Sequence, residues 1–337
     1  MKQPFEQEDA VDVSKMIKKA KRKTTIRTVS ISLVVSLAAL FGVMIGNQYL
    51  TSSSYERAMH SEQLMSQISG PDQVQTGQVN FSGFLNGTLQ TYKAKVIEGV
   101  LVPWADQKRN YNVLPLPTFS SMGGSTRQQS VSLPDENMQK QGYEYTRSYN
   151  GLSGQREMMF YIPGVNYNGK ILNDLPLLSE MDPDKRVEMG ISFDKEYSLD
   201  EAKQLIPRGL TQTWYWVDTY DNRAFYDPKS DGDGKLSYAT PEPENWIKGF
   251  GVNASDSVEV GGKQFLDALQ QGIHIKGLYH YEFNRIYDYL KKDKKEPQES
   301  DIRILGVVVT GTAKQLKSLS GQPYVRGATL GVVVDKY

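Results

Sequence analysis

A chain of 337 residues, 39% hydrophobic and 23% charged, is long enough for one large or two modest domains with real cores. Its 39 basic and 39 acidic residues cancel, which removes any global electrostatic case for a nucleic-acid partner or an acidic substrate. With no cysteine, disulfides, thiol catalysis, thiolate metal sites and a lipid-modified cysteine anchor are excluded together.

The first predicted element is a cytoplasmic basic amphipathic arm over residues 1–28. Glu6, Glu8, Asp9 and Asp12 precede the bases Lys15, Lys18, Lys19, Lys21, Arg22, Lys23 and Arg27, the order that a helix dipole favours. Val13, Met16, Ile17 and Ala20 recur at helical spacing, so the arm is expected to be a helix continuous with the segment that follows. Two roles stay open. The bases fix topology and meet anionic lipid headgroups, at about 1 kcal/mol per base near the surface. Alternatively, Phe5, Val13, Met16, Ile17 and Ala20 form the face that docks a partner.

Residues 29–50 are expected to form one transmembrane helix. From Val29 to Ile45 the sequence VSISLVVSLAALFGVMI carries no charge, and extension through Ile26 and Leu50 reaches the usual span of about 20 residues. It is apolar all round, unlike the one-sided stripe of a core helix. Bases precede it, whereas Asn47, Gln48 and Tyr49 follow it, so the positive-inside bias places the N-terminus in the cytoplasm and the rest outside the membrane. The rival reading, a cleaved signal peptide, lacks a clean small-residue cleavage site after Gly46. Ala38, Gly42 and Gly46 lie four apart, a small-xxx-small ladder through which two such helices would pack as a homodimer.

Beyond the membrane, Ser53 to Ser69 reads as a helix and Leu89 to Trp104 as strand, within a membrane-proximal region over 51–117. Residues 118–142, rich in Ser, Gly and Gln, read as a linker. Residues 143–337 read as an α+β domain. Here REMMFYI and RVEMGISF are expected strands, and Ser198-Leu-Asp-Glu201 is a capping box opening a helix. LTQTWYWVDTY reads as an aromatic strand with Trp214 and Trp216 on one face. Two helices follow, around Phe265 to Leu269 and Tyr279 to Leu290. The chain then runs strand, helix, strand through RILGVVVTG, Thr312 to Leu319 and RGATLGVVVD.

No motif in the sequence carries catalytic or metal chemistry. His60, His274 and His280 do not fall at metal-ligand spacing. Ser192-Phe-Asp-Lys195 matches the SxxK acylation motif, but it reads as strand, which points positions three apart to opposite faces. In DPKSDGDGKLSY, Asp227, Asp231 and Gly232 fit a calcium loop, while Lys229 and Tyr238 stand where it needs ligands. A solvated Asp-Gly loop is the plainer reading. The aromatic strand is read as core. No enzyme activity, metal or cofactor is expected.

Four stretches together carry a resemblance: Lys18 to Leu50, MGISFDKEYSLDEAKQLIP from Met189 to Pro207, WYWVDTY from Trp214 to Tyr220, and Ile304 to Asp335. They resemble the membrane-bound sigma-factor regulators of Gram-positive bacteria, built from paired sigma-regulator N-terminal and C-terminal domains. The resemblance implies an anti-sigma factor that couples an extracytoplasmic domain to an extracytoplasmic-function sigma factor. An inner arm of under thirty residues leaves room for no more than a modest helix-in-groove interface. Regulation is therefore expected either directly or through another membrane protein. The alternative is a non-signalling envelope-binding or scaffold protein held by one helix.

Overall fold

The computed structural model describes residues 5–113, 130–143, 146–230, 232–252 and 258–335, with side chains described from Val13 onward. Helix α1 runs unbroken from Phe5 to Gln67. No proline falls inside it, and it stops where Gly70, at φ +80°, and Pro71 end helical propagation. The expected arm, membrane segment and exit helix are thus one rod, roughly 95 Å long at 1.5 Å per residue. It is the one helix among the described residues long and apolar enough to cross a membrane, and its apolar window is wholly unburied.

Strands β1 (Gln73–Ser82), β2 (Asn86–Ile97) and β3 (Val100–Asn112) form an antiparallel meander beside the rod. The segment KAKVIEGVLVPW, expected as strand, folds into a hairpin. Glu98 and Gly99 both take positive φ, +47° and +87°, as a tight two-residue turn between twisted strands requires. Leu89, Thr91, Lys95 and Ile97 of β2 are buried on one face, while Tyr92 and Val96 are exposed on the other. The rod's outer half covers the buried face: Tyr55, Ala58 and Met59 pack on Leu89 and Tyr111.

The second half of the expected linker is structured. Strand β4 (Ser130–Leu133) pairs with β5 (Arg147–Asn150), and the short helix α2 (Glu136–Lys140) is capped by the Asp135 carboxylate. Met138 is fully buried, so this stretch adheres to the body despite its polar composition. Residues 118–129 lie outside the described residues.

The expected strand REMMFYI forms only the two-residue β6 (Met159–Phe160), paired with β11 (Glu242–Pro243). Its backbone is held by side chains instead. Thr329 Oγ1 accepts from the Met159 N–H, Ser192 Oγ from Tyr161, and the Tyr167 hydroxyl from Ile162. The segment crosses the face of the main sheet, and Gly190 makes room for it. A Cβ there would stand 2.8 Å from the Phe160 ring.

The main sheet contains β7 (Arg186–Tyr197) and β8 (Thr211–Val217), with the capped helix α3 (Leu199–Leu205) between them. After the minor hairpin β9 (Lys229–Ser230) and β10 (Leu236–Ser237) come β12 (Gly249–Gly251), α4 (Val258–Gly272) and α5 (His280–Lys291). Strand β13 (Ile304–Thr312), helix α6 (Ala313–Leu316) and β14 (Val325–Val334) complete the chain. The five strands are antiparallel in the order β12-β8-β13-β7-β14. The class is α+β, as read from the sequence.

Both faces of this sheet are covered, which explains the near-continuous apolar run of β13. Helices α3 to α6 pack on Val187, Met189, Ile191, Phe193 and Tyr215. Met158 to Ile162 packs on the other face, where Trp214 and Trp216 share a side as expected. Leu64, Met65 and Ile68, from the end of the rod, belong to the helix-side core. The Gly249 N–H donates to the Ile68 carbonyl, which extends β12 onto the rod's exit. The rod therefore ends inside the domain it carries. Truncating that contact with L64A should cost about 2–5 kcal/mol in denaturant unfolding of the detergent-solubilised chain, whereas truncation of exposed Leu152 should cost little.

Candidate functional site

The candidate residues read from the sequence lie along the rod, and tertiary structure does not gather them. Val13, Met16, Ile17 and Ala20 share one exposed stripe, and the side chain of Phe5 lies outside the described residues. Lys15, Lys18, Lys19, Lys21, Arg22, Lys23 and Arg27 are all exposed around it. Ala38 and Gly42 are open, and Gly46 is half-covered.

The decoy motifs resolve differently. Ser192 is buried with its hydroxyl committed to the Tyr161 N–H, while Lys195 is exposed near the Tyr197 ring. The three histidines are exposed and scattered. Asp231 lies outside the described residues, and among the described ones no group of three or more metal-binding side chains is gathered.

What the fold does gather is a cluster of charge where the three-stranded sheet meets the main sheet. Lys95, from β2, is fully buried. Its ammonium donates to both oxygens of Glu188 on β7, at 2.9 and 3.0 Å, and lies 3.0 and 3.2 Å from those of Glu244. The Trp104 ring of β3 stacks against it at 4.1 Å. Glu188 also accepts from the Val332 N–H, and Glu244 from the Met158 N–H. Asp72, at the foot of β1, accepts from Thr213 on β8 at 2.9 Å and lies within electrostatic reach of Lys95 and Glu188. Apolar packing of Ile97, Val102 and Trp104 on Val332 seals one side. At the hairpin turn, Thr310 donates to Glu98 at 2.6 Å and Arg186 donates to its carbonyl.

One ammonium faces three carboxyl groups, so the cluster cannot be fully ionised at low cost. Burial would lower the Lys95 pKa, but Glu188, Glu244 and Asp72 together raise it, so the lysine stays charged. Burial raises all three acids. Lys95 offsets only part of this for Glu188, which is pushed up to about 7. The junction is a lysine-centred group in which burial favours the protonated form of the acids that surround one ammonium.

Beside the cluster opens a cleft of about 1160 Å³. Its walls come from the rod (Glu62), the three-stranded sheet (Lys93, Arg109) and the larger domain (Glu157, Trp246, Tyr279). Arg109 pairs with Glu62 at 3.0 Å and lies over the Tyr279 ring, whose hydroxyl also donates to Glu62. Burial holds the Lys93 ammonium below its usual range, partly offset by Glu62. Trp246 stands 68% exposed where this cleft meets a smaller one of about 460 Å³ lined by Tyr220, Phe225 and Arg285. The cleft is lined mainly by polar and charged side chains, with the exposed Trp246 ring at its rim.

The sequence did carry a signal for this junction. Lys95 occupies an inward position of β2 between Ala94 and the apolar Val96-Ile97 end, and Glu188 interrupts a strand buried on both faces. Buried charge of that kind requires a partner. Which partner is a matter of tertiary contact, and Glu244 lies in a segment with no distinguishing pattern.

The matched families map onto the two sides of this junction. The model of the sigma factor regulator N-terminal domain matches residues 14–102, from the arm to the start of β3. That of the sigma factor regulator C-terminal domain matches residues 178–332, which contain the whole five-stranded sheet apart from the last residues of β14. Searches of curated proteins and of solved structures match nothing.

Removing the cation should break the junction: K95M leaves the buried Glu188 and Glu244 uncompensated beside half-buried Asp72 and should lower stability by about 3–5 kcal/mol in urea unfolding. The proton has its own signature. Glu188 ionises at 4.5 when exposed and at about 7 when folded, so the folded chain binds the extra proton between those values. Its contribution is present below about pH 4.5 and is lost as pH rises through about 7. Thermal unfolding followed from pH 5 to 7.5 should show a decline in midpoint that shrinks in E188Q.

Proposed function

The chain belongs to the sigma factor regulator family, and on that premise we propose that it is a single-pass envelope sensor with its globular body outside the membrane. The family supports an anti-sigma regulatory role. In the proposed mechanism the target is an extracytoplasmic-function sigma factor. It is engaged by residues 5–27 either directly or through a second membrane regulator, whose groove would take the Val13, Met16, Ile17 and Ala20 stripe.

The observation that carries this reading is the continuity of the rod. The helix that presents Met16 and Ile17 at one end buries Leu64, Met65 and Ile68 in the larger domain at the other. A stiff helix transmits tilt, rotation or axial displacement without a hinge. For an outside event to move the arm, a ligand must favour one arrangement of rod and body over another. The cleft between Glu62, Lys93 and Trp246 is where such a difference would arise, because its walls belong to the rod and to both domains.

The exposed bases before the membrane segment orient the chain by the positive-inside bias. The open Ala38–Gly42 face would allow two rods to pair, with the half-covered Gly46 at its outer end.

Deleting residues 1–14 while keeping the bases separates a regulator from an anchored scaffold. Capture of the intact protein from its own membranes should recover a sigma factor or a membrane regulator. The deletion, and the double variant M16D/I17D, should lower that recovery by at least about tenfold, the effect of losing about 1.4 kcal/mol of apolar contact. Unchanged partners and unchanged transcription in both variants would leave the protein as an anchored scaffold.

A further inference from the structure

The tip of the β1–β2 hairpin lies against the rod at the edge of its apolar run. The Asn47 side chain accepts from the Leu85 N–H at 2.6 Å and donates to the Gly83 carbonyl at 3.3 Å. Asn47 is two residues past Ile45, about 3 Å along the axis. The run from Val29 to Ile45 covers only about 25 Å, short of the roughly 30 Å of hydrocarbon that a span must cross. Arg27 closes the inner end, so the deficit is met on the outer side, at the level of Asn47 to Leu50.

At that depth the hairpin offers two aromatic side chains with no ring partner among the described residues: Phe84 is 63% exposed and Phe81 57%. Tyr49, two residues on from Asn47 and therefore on the opposite side of the rod at the same level, is exposed as well. From Gln73 to Tyr92 the hairpin carries no charged residue, and neither does the rod from Thr28 to Tyr55. Charges return in β2 at Lys93, toward the junction. The tip backbone is also specialised. Leu85 takes φ +55°, which is costly for a branched apolar residue, and both its N–H and its carbonyl are bonded, to Asn47 and to the Val113 N–H. Asn47's amide is thereby satisfied by backbone at a level where water is scarce.

We propose that this hairpin tip is a second membrane contact, with Phe81 and Phe84 seated in the headgroup–acyl boundary of the outer leaflet. The inference rests on the helix spanning a bilayer. Its consequence is mechanical. The body touches the membrane at the rod and at the tip, which fixes its rotation about the rod axis and limits its tilt. The lipid is recognised by depth and apolarity, not by headgroup charge.

The absence of native cysteine makes the test clean. In the full chain, L40C, F84C, L101C and F225C would each be labelled with an environment-sensitive nitrobenzoxadiazole dye. Each would be reconstituted in phosphatidylcholine–phosphatidylglycerol vesicles with and without doxyl-labelled lipid. Leu101 and Phe225 are as exposed as Phe84 but lie away from the tip. The expected result is at least about twofold quenching by doxyl lipid at 40 and 84, as for groups buried 5–10 Å into the boundary, with little at 101 and 225. Quenching at 40 but iodide access at 84 equal to that at 101 overturns the tip contact alone. A label at 84 shielded from iodide yet not quenched by doxyl lipid also overturns it, in favour of a second copy of the chain. No quenching at 40 removes the membrane-spanning premise itself. Unchanged thermal midpoints across the four labelled proteins establish that each is folded.

Discussion

A single buried ammonium joins the two halves of this protein. Lys95 reaches out of a strand that lies beside the rod and is met by Glu188 and Glu244 of the larger domain, with Asp72 alongside. None of these groups is stable alone in that position, because an unpaired charge taken out of water costs several kcal/mol. The halves are therefore bound by mutual need as much as by the apolar contact of Ile97 and Trp104 with Val332. Excess acid over base makes the joint responsive. Burial raises the Glu188 pKa, so the folded joint favours the protonated form of that acid.

That joint determines how a large body is carried on one helix. The three-stranded sheet runs beside the outer half of the rod, docked on the rod at Asn47 and on the main sheet at Glu98. Between Asn47 and Ile68 the rod advances about 30 Å. The sheet thus braces the body at a fixed stand-off instead of leaving it on a flexible stalk. A rod that is continuous and braced can pass a change in body position to the arm. A frayed or hinged connection would dissipate it. The cleft bounded by Glu62, Lys93 and Trp246 sits inside this brace, where occupancy would bear on the angle between sheet, rod and domain.

Elements with strong local signals were legible from the sequence. The capping box at Ser198 and Glu201, the aromatic strand through Trp214 and the two C-terminal strands all follow from periodicity and capping chemistry. Misreadings arose where tertiary contacts replaced local ones. Met158 to Ile162 has strand composition, but its backbone is satisfied by the hydroxyls of Thr329, Ser192 and Tyr167. Ser130 to Gln141 has linker composition, yet Asp135 and Met138 anchor it to the body. Glu98-Gly99 is a weaker hairpin cue than Asn-Gly, so one expected strand concealed a turn. The candidate site was the least legible part. Three of its four charged groups come from segments far apart in the chain, and only the misplaced polarity of Lys95 and Glu188 hinted at it.

By itself the sequence determined the membrane segment, its flanking bases and the α+β class, because charge, apolar length and periodicity are local properties of a chain. Only the tertiary structure decided that the rod ends inside the core at Leu64 and Ile68, that Lys95 joins the two domains through Glu188 and Glu244, and that the β1–β2 tip returns to Asn47. Those are contacts between residues tens to more than a hundred positions apart. Such contacts depend on which buried groups can satisfy one another in three dimensions, and linear pattern does not encode that choice.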